Sequence, residues 1–110
     1  MKLYKIIIVD DEQEARTAIK NTVDWEKAGF TIIGDAENGQ DALEKLEILE
    51  PDVLMTDIRM PYIDGLELAK RAKKLYPSLK IIICSGYNDF EYAKEVIRLG
   101  VSEYVLKPLN

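Results

Sequence analysis

Val53-Leu54-Met55-Thr56-Asp57-Ile58-Arg59-Met60-Pro61 is the stretch whose reading decides the fold. A short apolar run ends in one acidic residue, and Met-Pro punctuation follows. Apolar runs of this length, bounded by turn signals, read as strands buried on both faces. Asp57 then stands where such a strand leaves the core, although Asp is depleted from strands. Taken alone it reads as a turn residue or helix cap. The rest of the chain decides between that reading and a chemical one.

Working outward, five β-rich runs are predicted: Tyr4–Val9, Phe30–Ala36, Val53–Thr56, Lys80–Cys84 and Glu103–Leu106. Four segments with helical spacing lie between them. Ala15, Ala18, Ile19 and Thr22 form an apolar stripe in the first, and Ala42, Leu43, Leu46 and Leu49 in the second. Leu68, Ala72 and Leu75 do so in the third, and Ala93, Val96 and Ile97 in the fourth. Each segment opens with an acceptor side chain and an acid three residues on: Asp11/Glu14, Asn38/Asp41, Asp64/Glu67 and Asn88/Glu91. Gly29 and Gly100 are predicted to stop the first and fourth segments, Pro51 and Pro77 the second and third. Alternation on this scale predicts an α/β fold, a doubly wound five-stranded parallel sheet with right-handed crossovers. A fifth helix is expected after Leu106, but the sequence ends at Asn110. One sheet face near strands one, three and five is therefore expected to be under-covered. Such a patch predicts self-association into a homodimer.

The totals narrow the function. At 110 residues the chain is read as one domain, 1–110, with room for a single core. Fifteen basic against 20 acidic residues leave a net charge of −5, which argues against a nucleic-acid surface on this chain. With no histidine, Ser-His-Asp and Cys-His nucleophile systems are excluded, as are His-built zinc sites. Cys84 is the sole cysteine and lies in an apolar run, so it reads as a small buried hydrophobe in a reducing compartment. The apolar start at Leu3–Val9 is too short for a signal segment, and nothing later is long enough to span a bilayer. The expectation is a cytoplasmic domain with no membrane partner.

In a parallel sheet the C-terminal strand ends share one edge. Asp10 and Asp11 end the first strand, Asp57 the third, Ser85 the fourth and Lys107 the fifth. Ligands bind open α/β sheets at that edge, where strand order reverses. With order 2-1-3-4-5 the reversal falls between strands one and three, beside all three aspartates. Individually, Asp10 and Asp11 read equally well as a helix cap with a solvated neighbour, and Lys107 reads more readily as a snorkelling surface lysine. Together, three carboxylates repel one another, and their pKa values should rise unless a cation neutralises them. Mg²⁺ suits such an oxygen set, and no calcium-loop pattern is present. Lys107 adds a compact cation, and Ser85 a rotatable hydroxyl donor. Carboxylate nucleophile, metal, lysine and hydroxyl describe acyl-phosphate formation on an aspartate.

Val9-Asp10-Asp11-Glu12, Asp57-Ile58-Arg59-Met60-Pro61 with Asp64-Gly65, Ser85-Gly86 and Tyr104-Val105-Leu106-Lys107-Pro108 resemble the motifs of response-regulator receiver domains of two-component systems. Two further stretches, Asp24–Phe30 and Ser85–Ala93, resemble regulators that carry an AraC-type DNA-binding region. The resemblance implies a flavodoxin-like fold and a phosphoryl group received on Asp57 from a sensor histidine kinase. It implies Mg²⁺ held by Asp11 and Asp57, by Asp10 through water, and by the backbone carbonyl of Arg59. Ser85 and Lys107 are implied to bind phosphoryl oxygens, with Lys107-Pro108 a cis peptide. Tyr104 is implied to be the switch aromatic, and Arg59 and Tyr87 to tune the lifetime of the acyl phosphate. Tyr104 read by itself is equally an ordinary half-buried strand tyrosine. Any contact with DNA would run through an effector region absent from this sequence.

Three other readings fit less well. A haloacid-dehalogenase-like phosphatase wants a second acid two residues after its nucleophile, where Arg59 stands. A flavin carrier of the same topology needs a hydroxyl-rich phosphate loop, and Asp10-Asp11-Glu12 would repel a phosphate. A degenerate receiver, serving only as an interaction module, is disfavoured because every chemical position is filled.

Overall fold

Side chains alternate along the central strands, so each strand serves two layers. The computed structural model describes residues 2–85 and the strand at 103–106. Its elements run β1 (Tyr4–Val9), α1 (Gln13–Thr22), β2 (Phe30–Ala36), α2 (Gly39–Leu49), β3 (Val53–Asp57), α3 (Gly65–Leu75), β4 (Lys80–Ser85) and β5 (Glu103–Leu106). All pairings are parallel, in the order β2-β1-β3-β4-β5. The expected topology is therefore observed. β3 and β4 each extend one residue further than predicted, to Asp57 and Ser85, because Asp57 still pairs with Cys84 and Ser85 with Leu106.

One face of the sheet packs Ile7, Val9, Leu54, Ile81 and Ile83 against Ala42 and Leu46 of α2 and Leu68, Ala69 and Ala72 of α3. Burying each of the larger side chains contributes roughly 1.5–3 kcal/mol. The opposite face gathers Ile6, Ile8, Val53, Met55 and Cys84 with Ile19 of α1 and with Trp25. The latter face was expected to lie partly open. On β1 and β3 it does not: Ile6, Ile8, Val53 and Met55 are all buried.

The caps divide. Asn38 accepts from the amide of Asp41 at 2.7 Å and Asp64 from that of Glu67 at 2.8 Å, as expected. Asp11 does not cap α1. The cap position is Glu12, with no side-chain bond, and the Asp11 carboxylate joins the acidic group described below. Nor does α1 reach Gly29. It ends at Thr22, whose hydroxyl turns back onto the carbonyl of Ala18, and Val23 is extended. The Trp25 indole then donates to the carbonyl of Ile19 at 3.0 Å, satisfying a group of the last turn. Gly29, at φ 99°, closes a separate turn whose amide meets the carbonyl of Glu26. The α1 stripe is correspondingly thin, with Ile19 buried and Ala18 and Thr22 exposed. On α3, Leu75 is 62 % exposed, and Tyr76 packs against the core at the helix end instead. The predicted fourth helix, its Asn88/Glu91 start and Gly100 lie outside the described residues.

One irregularity matters for the site. The β1–β2 register slips between Ile6/Ile32 and Ile7/Gly34, a bulge at Ile33. A one-residue slip exchanges the faces of everything after it. Ile33 and Gly34 thus share the α2 side, and Asp35, in register with Ile8, turns to the other face and meets Arg16 and Lys20 of α1.

Candidate functional site: an acidic cluster at the sheet edge

Asp10, Asp11 and Asp57 each bring a carboxylate oxygen to within 4.8 Å of the others. Asp10 is buried, Asp57 half-buried and Asp11 exposed, so the cluster runs from the core to the surface. The fold holds each differently. Asp10 follows β1, its amide donating to the carbonyl of Ala36 at 3.1 Å. Its Oδ1 accepts from the amide of Glu12 at 3.0 Å, which turns the chain into α1. Asp57 ends β3, and its Oδ1 accepts from the amide of Ile58 at 2.9 Å. That same amide meets the carbonyl of Cys84 at 3.2 Å, tying the loop after Asp57 to β4.

The loop from Ile58 to Asp64 is held from both ends. Ile58 and Met60 are buried, and the amide of Gly65 donates to the carbonyl of Ile58 at 2.6 Å. Ile63 packs on the start of α2, where a β-carbon at Gly39 would lie 2.7 Å from its Cβ. Arg59 is exposed between these anchors, and Tyr62 is exposed with φ 68°.

The donor set is hard oxygen throughout, running from a buried to an exposed carboxylate, and this fits a small divalent cation such as Mg²⁺. A second charged group stands behind the cluster. Arg16 reaches the main-chain carbonyl of Asp10 at 2.7 Å and the carboxylate of Asp35 at 3.1 Å. Lys20 reaches the same Asp35 oxygen at 2.9 Å, and Lys45 donates to the Asp35 carbonyl. Partial burial works to raise the Asp35 carboxyl, but the hydrogen bonds and charges of Lys20 and then Arg16 outweigh it and hold the group below the usual Asp range.

Of the sequence-predicted residues, the structure brings together Asp10, Asp11 and Asp57, with Arg59 two residues along. Ser85 and Tyr104 are placed by their strand backbones, Tyr104 in register with Ile83, and their side chains lie outside the description. Tyr87 and Lys107 lie outside the described residues. Gly65 lies in the quoted Asp64-Gly65 pair, whereas Arg16 and Asp35 are contributors outside the sequence motifs. The available signal was two bases four apart on α1, beside an acid one residue from the end of the neighbouring strand.

The profile of the response regulator receiver domain matches residues 6–110. The chain belongs to the receiver domain family. It is 43 % identical over 108 residues to the uncharacterized transcriptional regulatory protein YesN of Bacillus subtilis, covering 98 % of this chain and 29 % of that protein. It is 36 % identical to the chemotaxis protein CheY of Thermotoga maritima, covering 96 % of this chain and 87 % of that one. Among solved structures, the REC domain of AraT, a response regulator from Geobacillus stearothermophilus, superposes with a TM-score of 0.90 at 40 % identity. That match covers 98 % of this receiver domain and 84 % of the AraT chain. The receiver domain spans less than half the length of the first curated relatives it matches. Several relatives are transcriptional regulators, the AraC-type narrowing read from the sequence among them. Among the described residues, no helix is long and apolar enough to cross a membrane.

Proposed function

We infer that this receiver domain is a phosphorylation-operated switch in which Asp57 accepts a phosphoryl group from a phosphohistidine on a sensor histidine kinase. The observation carrying this reading is the convergence of Asp10, Asp11 and Asp57 at the sheet edge. With no histidine in the chain, the phosphohistidine belongs to the partner. An Asp57 oxygen attacks phosphorus as the bond from phosphorus to the imidazole nitrogen breaks, and the departing ring keeps that electron pair. Asp11 and Asp57 would hold Mg²⁺ directly, Asp10 through water, and Arg59 by its carbonyl. When bound, the ion neutralises charge on the transferring phosphoryl oxygens. Ser85 and Lys107 are assigned to the phosphoryl oxygens, Tyr104 to the relay, and Arg59 and Tyr87 to the lifetime of the acyl phosphate. The group adds roughly −1.5 to −2 charge and three acceptor oxygens, enough to bias a two-state element. The output is DNA binding by an effector region of a longer protein, with a homodimer as the assembled form.

Intact mass after treatment with a small acyl-phosphate donor and Mg²⁺ tests the reading. One phosphoryl group, about 80 daltons, should appear on the parent and not on Asp57→Asn. Stoichiometric labelling of Asp57→Asn would move the acceptor elsewhere.

A further inference from the structure

Arg16 is not one of the clustered acids, yet it is tied to them. Its side chain is 13 % exposed and holds two acceptors at once, the main-chain carbonyl of Asp10 and Oδ2 of Asp35. A planar guanidinium fixes two acceptors in set directions, which an ammonium does not. Asp35 is the backstop of this arrangement, and it faces α1 only because of the bulge at Ile33.

The carbonyl of Asp10 lies in the peptide plane that joins Asp10 to Asp11. Its direction sets how the chain enters Asp11, and so where the Asp11 carboxylate aims. The bond from the Glu12 amide to the Asp10 carboxylate closes over the same peptide, and Arg16 holds its carbonyl oxygen directly. Asp11 is the exposed member of the cluster and takes its aim from this turn.

We propose that Arg16, braced by Asp35, is a positioning residue for the divalent cation site. It fixes the Asp10–Asp11 peptide so that Asp11 meets Asp10 and Asp57. The proposal rests on the reading of the acidic cluster as a cation site. It also separates from a plain charge effect, because a nearby cation by itself repels Mg²⁺. Removing the charge in Arg16→Gln would then tighten Mg²⁺ binding, whereas loss of positioning weakens it. Arg16→Lys keeps the charge and loses the fork, so the two accounts again differ.

The test is Mg²⁺ binding by isothermal titration calorimetry on the 110-residue chain. Parent, Arg16→Gln, Arg16→Lys, Asp35→Asn and the control Asp11→Asn are compared, each shown folded by its thermal transition. Positioning predicts weakening by about tenfold or more in both Arg16 variants, the range set by groups that orient metal ligands. A smaller loss is expected in Asp35→Asn. Parent-like or tighter binding in folded Arg16→Gln and Arg16→Lys overturns the role of Arg16 alone. A parent that binds no Mg²⁺, or an Asp11→Asn chain that binds like the parent, overturns the cation-site reading beneath it.

Discussion

A β-carbon on Gly65 would stand 2.1 Å from the carbonyl oxygen of Asp57 and 2.8 Å from Cα of Ile58. Both neighbours are backbone, so no side chain can swing away. Only the missing Cβ lets α3 begin against the end of β3, with its first amide on the carbonyl of Ile58. Gly65→Ala must push α3 away from the strand end that carries Asp57. Overpacking of this kind costs about 1–3 kcal/mol. Urea unfolding of Gly65→Ala should show that loss, together with weaker Mg²⁺ binding. Parent-like values of both would mean that the close approach is not needed.

Asp35 gives the chain an acid-sensitive component. Its folded carboxyl is held below the unfolded value by Lys20 and Arg16 against the opposing effect of partial burial. A depressed carboxyl stabilises the fold fully above the unfolded pKa, about 3.9, and that contribution is lost as pH falls through the lower folded value. Asp35→Asn lacks the contribution at every pH. Thermal unfolding from pH 7 to pH 2 should find the parent ahead of Asp35→Asn at neutrality, with the gap closing below about pH 4. A gap that persists unchanged at pH 2 would assign it to packing and not to ionisation.

Most of this architecture was legible in the sequence because strand and helix periods are local. β1 and β2 were read to the residue, and Asp10, Asp11 and Asp57 follow from strand ends sharing an edge. The bulge at Ile33 has one local mark, Gly34 inside the strand, which fits a bulge without locating the slip, and the Arg16–Asp35 pair depends on it. α1 stops at Thr22, short of the Gly29 that marks a stop in the sequence, because the hydroxyl of Thr22 and the indole of Trp25 bond to the carbonyls of its last turns. Both of those act through side chains folding back on the helix end, which periodicity does not encode. Asp11 shows a residue with two local options, cap or cluster, settled by tertiary contact.

The acidic cluster should trade stability for binding. Three carboxylate oxygens within 4.8 Å repel in the metal-free chain. Asp11→Asn removes one charge, so it should unfold at a higher temperature than the parent in the absence of Mg²⁺. With Mg²⁺ the order should reverse, because a ligand at 100 times its Kd adds about 2.7 kcal/mol to the parent. Thermal melts of both proteins with Mg²⁺ and with chelator check the crossover. A Mg²⁺ response of equal size in Asp11→Asn would remove Asp11 from the cation site.

Tyr62 sits in the loop after the cluster with φ 68°, a left-handed conformation that bulky side chains rarely adopt, and its ring is exposed. Nothing buried offsets the crowding of Cβ against the backbone, which costs about 1–2 kcal/mol for an L-residue. Asn tolerates this conformation, while Gly escapes the crowding and loses part of the gain to unfolded-state entropy. Tyr62→Asn is therefore expected to stabilise the chain by about 0.5–1 kcal/mol, and Tyr62→Gly by less. Tyr62→Ala keeps the Cβ and should gain nothing, which separates backbone strain from removal of an exposed ring. Urea unfolding of the three variants decides it. If Tyr62→Ala gains as much as Tyr62→Asn, the exposed ring and not the dihedral is the source of the cost.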